Sequence, residues 1–398
     1  MTVAERSTKK RDPAHPEGVE VSIVMPCLNE AETLAACIEK AQRAIDGGGL
    51  SAEIVVADNG SDDGSQVIAR ELGARVVEVK RKGYGSALIG GVEAARGRFI
   101  VMGDADDSYD FAAIGPFVEK LREGFELVVG NRFQGGIEPG AMPWSHRWIG
   151  NPFLTRISRI FFHASVGDTH CGLRGFTKDA FERMRLRATG MEFASEMVIK
   201  ASLKGMRIVE VPVVLHPDGR SRPPHLRTWR DGWRHLRFML LFSPRWLFLY
   251  PGLALLLVGA TLSALLVAGP IWVAGVRLDI HTLLVAGFGA LLGYQLVLFA
   301  VFTKIFAIRE GFHPPHPVLE RLFRYITLEV GLLAGTLMAL GGLVALVVAV
   351  ASWQSVGFGN LNPSTTMREV IPAVVLLALG TQTIFASFFI SILAIDRD

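Results

Sequence analysis

Four apolar runs, at about 246–268, 282–308, 326–352 and 370–395, constrain this chain more than any other feature. A helix crosses hydrocarbon about 30 Å thick with roughly 20 apolar residues, because only a helix satisfies its backbone groups within one segment. Each run is that long, so a helical membrane domain of four spans is expected over 246–398. No span carries a charge at its centre, which disfavours a pure transporter. Lys304 and Glu329 fall near span ends, where a side chain reaches the headgroups easily. The connection 309–324 holds Arg309, Arg321 and Arg324, whereas the other two connections hold one arginine each, Arg277 and Arg368. The positive-inside rule then puts that connection, both termini and everything ahead of the first span on the cytoplasmic side.

Residues 19–242 read differently, as apolar runs punctuated by charged and turn-forming residues. The preceding segment, 1–18, is polar and proline-bearing, lacks the apolar core of a signal peptide, and is expected to be a disordered leader. The three cysteines, Cys27, Cys37 and Cys171, have no metal-binding or redox spacing and fit a reducing compartment. Strands are expected at 19–28, 53–57, 74–79, 99–102, 125–130 and 206–215, with helices between most of them. Asn29 is placed to cap a helix running to about residue 45, with Glu30 and Glu32 in its first turn. The Gly/Pro-rich stretch 134–143 reads as a mobile lid. Strands alternating with helices make a mostly parallel sheet, and ligands of such sheets bind beyond the carboxyl ends of the strands. Pro26, Asp58, Lys82 and Asp104 all stand at such ends.

The stretch 101–110 gathers Asp104, Asp106, Asp107 and Asp110 directly after an apolar strand. Carboxylates this close repel unless one is protonated or a cation lies between them. Hard oxygen donors suit Mg²⁺ or Mn²⁺, which in turn bind substrate phosphates. A divalent-metal site holding a diphosphate is the functional reading, and a solvated acidic turn is the plain one. Asp107 and Asp110 are expected to cap or start the next helix. The chain has no phosphate-binding P-loop, and Gly83-Tyr84-Gly85 lacks the full dinucleotide fingerprint, so a dehydrogenase is disfavoured. Residues 217–245 carry seven arginines against Asp218 and Asp231, interleaved with Trp229 and Trp233. They read as basic amphipathic helices on an anionic membrane surface. The spans that follow argue against the alternative, a nucleic-acid stripe.

Taken in order, 24–30 (VMPCLNE), 58–65 (DNGSDDGS) and Asp104-Ala105-Asp106 resemble family 2 glycosyltransferases of the GT-A fold. Gly130-Asn131-Arg132, Asp168-x-x-Cys171-Gly172-Leu173-Arg174 and Val211-Pro212-Val213 are similar to the polyprenyl (dolichyl) phosphate sugar transferases. The resemblance spans about 19–240 and implies a Rossmann-like GT-A domain at 19–216, ahead of the juxtamembrane helices and four spans. It implies an inverting transfer of hexose from UDP-glucose or GDP-mannose to polyprenyl phosphate, with Asp104 and Asp106 on Mg²⁺ or Mn²⁺. Pro26, Leu28, Glu30, Asp58, Lys82, Gly83, Asp104 and Ala105 would hold the nucleotide. Arg132, Arg147 and Asp168 would join the catalytic set, and Arg132, Arg147, Arg174, Arg220 and Arg222 would meet the acceptor phosphate. Two departures stand out: Asn59 replaces the usual second Asp, and Arg220-Ser221-Arg222-Pro223-Pro224 replaces the family's basic segment. The runner-up is transfer to a lipid hydroxyl, which needs a general base such as Asp168; a non-catalytic membrane scaffold is a further alternative. A homo-oligomer is compatible with the chain and not specified by it.

Overall fold

The seven-stranded sheet of the computed structural model runs in the order β3-β2-β1-β4-β6-β5-β7. The structure describes residues 18–221, 228–311, 313 and 327–394. It divides into two units, Met1–Met239 and Leu240–Asp398. In the first, the strands are β1 Val21–Cys27, β2 Ala52–Asp58, β3 Arg75–Glu78, β4 Phe99–Met102, β5 Leu127–Asn131, β6 Arg174–Thr177 and β7 Ile208–Pro212. The helices between them are α1 Leu34–Gly48, α2 Ser65–Glu71, α3 Tyr84–Ala94, α4 Gly115–Arg122, α5 Arg132–Gly135, α6 Asn151–Phe162, α7 Lys178–Met184 and α8 Phe193–Leu203, and α9 Thr228–Leu241 follows β7.

All of β1 is buried, as a strand covered on both faces must be. Pro26 is tolerated there because the β4 ladder ends at the Val24–Met102 pair. The edge on which its missing N–H would point has no partner at that height. Sheet order reverses at β1, with β2 on one side and β4 on the other. That switch point opens a crevice at the strands' carboxyl ends.

Three expectations change. The helix after β1 starts at Leu34, not beside Asn29, which takes a left-handed φ of 58°. Its side chain binds the neighbouring loop instead of capping. Residues 174–177, outside the expected strands, form β6, antiparallel to both β4 and β5. Being antiparallel, it starts at the rim where the parallel strands end, so the loop ahead of it is delivered to the crevice. The expected lid at 134–143 is pinned: the Glu138 N–H donates to Leu215 O, and the Leu215 N–H to Gly136 O, at 3.0 Å each. Asp110 does cap the turn that follows, accepting from the Ala112 N–H, while Asp107 pairs with Lys40 at 2.6 Å.

Among its described residues the second unit has four helices long and apolar enough to cross a membrane: Arg245–Ala268, Ile280–Arg309, Leu328–Ser355 and Pro363–Leu393. The first two meet where Gly252 and Gly259 face Gly293 and Ala290, and the last two where Gly335 and Gly342 face Gly380 and Leu377. Small residues let helix backbones approach closely in lipid, where apolar burial gives no drive. The fourth helix begins ahead of its apolar run, and there Arg368 bonds Leu266 O and pairs with Asp279. Most of the basic 309–324 connection, including Arg321 and Arg324, lies outside the described residues, as do residues 1–17.

Candidate active site

The crevice is built by four loops that leave the strand ends. Those after β1 and β2 are sewn together by side chains on backbone. Asn29 N–H donates to Ser61 Oγ (2.9 Å), Asp62 N–H to Asn29 Oδ1 (2.8 Å), Glu30 N–H to Ser65 Oγ (3.0 Å) and Ala31 N–H to Asp63 Oδ2 (2.9 Å). Asp58 is 1 % exposed, and its carboxylate accepts from the Gly60 and Ser61 N–H groups and from Gln66 Nε2 at 2.7 Å. Asp58 therefore organises its own loop at the rim of the crevice. Leu28 lies on the same chain reversal, two residues past Pro26.

Asn59 shows why its position departs from the family pattern. Its amide nitrogen donates to Val79 O (2.9 Å) and Arg81 O (2.8 Å), and its oxygen accepts from the Gly83 N–H (2.8 Å). An aspartate would lose both donors and face two carbonyls. Asn59→Asp should cost about 1–3 kcal/mol, measured as a lowered melting temperature. Lys82 Nζ caps Asn59 O at 2.7 Å and so braces the same loop. Gly83, expected to let backbone approach a ligand, has φ 124° and is pressed against Thr189 O, so the close neighbour is this chain's own 185–190 loop.

The acidic turn is the centre. Asp104 Oδ1 accepts from Tyr84 OH at 2.8 Å, and Gly172 is packed so close to Asp104 Oδ2 that no side chain fits there. Asp106 Oδ1 accepts from the Ser108 N–H and hydroxyl (3.1 and 2.6 Å), leaving Oδ2 to Arg220 at 3.1 Å. Arg220 also holds Glu30 Oε1 at 3.0 Å and pairs with Asp218. Ala105 is buried, and its carbonyl accepts from Thr33 at 2.6 Å. Burial, then the Asp106 charge, push the Asp104 carboxyl up to about 7, against the pull of Arg220 and Arg132. Burial thus disfavours a charged Asp104 beside Asp106 unless a cation joins them. In a metal-free protein the raised Asp104 contributes stability that is complete below the ordinary carboxylate range and lost as pH rises through about 7. Among the described residues no three His, Cys, Asp or Glu side chains form a ready metal cage. The donor set fits an ion that shares hard oxygens with substrate phosphate and water.

Arg132 and Asp168 form a buried fork: Nε to Oδ2 at 2.6 Å and Nη2 to Oδ1 at 2.8 Å, with the Arg132 N–H on Oδ2 at 3.1 Å. Asp168 is fully buried, so its carboxylate serves Arg132 and is not offered to a ligand. Arg174, expected to meet the acceptor phosphate, is instead engaged inside the fold. It is fully buried, and its guanidinium donates to Cys171 O (2.9 Å), Thr169 O (2.7 Å) and Ala194 O (2.6 Å). It welds the 168–172 loop to the start of α8 and cannot reach an acceptor phosphate. Arg147 lies 5.5 Å over the Trp148 ring in the turn before α6, and no contact among the described residues joins it to the acidic turn. Arg222 lies outside the described residues. Tyr84 was not legible in the sequence, since only the Gly83-Tyr84-Gly85 run marked it.

A mostly parallel sheet with an acidic turn at its switch point and one antiparallel strand feeding the rim is a GT-A domain. Residues 22–185 match the glycosyl transferase family 2 model, and residues 301–394 match the glycosyltransferase family 2 C-terminal transmembrane region. The low-salt glycan biosynthesis hexosyltransferase Agl6 of Haloferax volcanii is 38% identical over 373 residues, 93% of this chain and 88% of that protein. The dolichyl-phosphate hexose transferase of the same organism is 32% identical over 195 residues, 49% of this chain and 82% of the other. Among solved structures, glucosyl-3-phosphoglycerate synthase from Mycobacterium tuberculosis, in complex with Mn²⁺, UDP and glucosyl-3-phosphoglycerate, is 23% identical with a TM-score of 0.45, covering 56% of this chain and 78% of that one. The chain belongs to family 2 of the glycosyltransferases and carries that family's membrane region.

Proposed function

We propose that this glycosyltransferase moves a hexose from a nucleotide diphosphate sugar to polyprenyl phosphate, with inversion, at the cytoplasmic face of a membrane. The observation that carries this reading is one rim on which Asp104 and Asp106 share a turn and Arg220 meets Asp106 at 3.1 Å, in a chain with four membrane-length helices among its described residues. Its similarity to a dolichyl-phosphate hexose transferase supports the acceptor class.

Asp104 and Asp106 would hold Mg²⁺ or Mn²⁺, which when bound neutralises the diphosphate leaving group as a Lewis acid. The chain's own residues do the rest. The loops after β1 and β2, with Glu30 and Asp58, shape the nucleoside end. Arg132, held by Asp168, and Arg220, held by Asp106, Glu30 and Asp218, supply positive charge that attracts phosphate oxygens to this end of the crevice. Arg220 is paired with Asp106, Glu30 and Asp218, so it is already aimed at the anionic end of the crevice. An acceptor phosphate oxygen attacks the anomeric carbon, the bond to the diphosphate breaks, and the nucleoside diphosphate departs with the electron pair. The attacking group is an anion at neutral pH, so no side chain needs to remove a proton. This point weighs against the lipid-hydroxyl alternative, because Asp168, the base it would need, has both oxygens on Arg132.

The test is incubation of membranes bearing the protein with labelled UDP- and GDP-hexoses, offering polyprenyl phosphate or diacylglycerol as acceptor. Label is expected in an anionic polyprenyl lipid with one of the two donors. Label entering diacylglycerol, with none in the polyprenyl fraction, would sink the proposal.

A further inference from the structure

Helix α9 shows two opposed stripes at four-residue spacing. Asp231, His235 and Met239 are buried, and Trp229, Trp233 and Arg237 are exposed, Trp229 to 91 %. Residues four apart share one helix face, so the exposed tryptophans and the buried histidine lie on opposite sides of one rigid element. Four residues after α9 ends, the first apolar helix starts at Arg245. An arginine-rich helix with exposed tryptophans next to a span has the composition of one that settles at the lipid headgroups.

The buried stripe reaches into a polar knot. His235 Nδ1 meets Ser195 Oγ of α8 at 2.7 Å, and the same oxygen meets His170 Nε2 at 3.3 Å. The two rings pack edge to face with centroids 4.7 Å apart. Ser195 is fully buried. A hydroxyl can donate to one ring and accept from the other, so it can join both histidines at once. Burial holds His235 down at about 4 and, with the His235 charge next in weight, holds His170 well below the ordinary histidine value. The knot is thus a neutral hydrogen-bonded contact. Glu192 and Asp231 act on His235 electrostatically, as does Arg174, and Arg132 acts on His170.

The surroundings of the knot make it stiff. His170 lies between Thr169 and Cys171, whose carbonyls are both held by Arg174, and the same guanidinium holds Ala194 O beside Ser195. Two residues ahead of His170, Asp168 grips Arg132. His235, Ser195, His170 and the loop that aims Arg132 therefore form one continuous run of contacts.

We propose that the His235–Ser195–His170 knot is the joint through which the juxtamembrane helix, on meeting an anionic lipid surface, positions Asp168 and Arg132 for the lipid-phosphate acceptor. His235 and Ser195 are positioning residues, since they touch no reacting group. The role of the acceptor rests on the function proposed above, and the mechanical link does not.

The experiment uses the full chain in nanodiscs of zwitterionic lipid, with or without phosphatidylglycerol. Amide hydrogen exchange is followed over 168–173, with donor affinity by calorimetry and the KM for polyprenyl phosphate. In the wild type, anionic lipid should slow exchange of 168–173 by about tenfold. In His235→Ala that response should vanish and the acceptor KM rise about tenfold, with donor affinity within about twofold of wild type. His235→Asn, which can still bond Ser195, should recover part of both. Trp229→Ser with Trp233→Ser should lose the lipid response with the knot intact. A lipid response retained in His235→Ala overturns the joint, and so does a loss of donor affinity in step with the acceptor effect, which marks a merely structural role. If no transfer to polyprenyl phosphate is found in any variant, the functional reading fails while the exchange comparison still decides on the joint.

Discussion

Asp106→Asn lowers turnover by at least about 10²–10³-fold, the loss expected when one preorganised electrostatic partner of a developing charge is removed. The substitution keeps shape and removes charge. The amide oxygen that replaces Oδ1 can still accept from the Ser108 N–H and hydroxyl, as Asp106 does at 3.1 and 2.6 Å. Arg220 keeps Glu30 and Asp218. The fold should survive, so the melting temperature is the control. The second carboxylate for a divalent ion is gone, which leaves Asp104 alone against the diphosphate. Mn²⁺ titration without donor should show weakened binding in parallel with the activity. Full metal-dependent activity in Asp106→Asn would falsify the metal assignment.

Asp168→Asn is expected to cause a large stability loss. Breaking a buried ion pair from one side strands the other charge and costs about 3–5 kcal/mol. Arg132 is 7 % exposed, and its guanidinium has both forked bonds on Asp168. The melting temperature should fall by roughly 10 °C for a domain of this size. The double variant Asp168→Asn, Arg132→Met removes the stranded charge and should regain much of the stability without regaining activity. Non-additivity of that kind separates a holder of Arg132 from a general base. A stable but inactive Asp168→Asn enzyme would instead point to direct work on the substrate and would revive transfer to a hydroxyl.

These two residues also mark where sequence reasoning succeeds and where it stops. Asp106 is legible because an apolar strand followed by clustered carboxylates can be recognised over about ten consecutive residues. Asp168 and Arg174 are legible as polar positions only. Their partners decide their roles, and those are Arg132, 36 residues away, and three backbone carbonyls, one of them 20 residues on. An arginine that closes a loop on carbonyls and one that waits for phosphate look alike in one dimension. Strand β6 escaped for a related reason: Arg-Gly-Phe-Thr is four residues long and pairs with strands far away in the chain. Tyr84 falls in the same class, its hydroxyl meeting Asp104 across 20 residues.

The membrane-length helices, the alternation that makes a mostly parallel sheet, and the carboxylates and loops at the strand ends are all written in the linear order of residues. Those features depend on runs and periods that neighbouring residues display. Which charged groups face the crevice, and which are engaged inside the fold, follows from the three-dimensional packing. It placed Arg220 on Asp106, locked Asp168 to Arg132, committed Arg174 to backbone, and brought His235 of α9 to His170. The physical reason is that a charge's role is set by its burial and its nearest partners, and both are properties of packing in space.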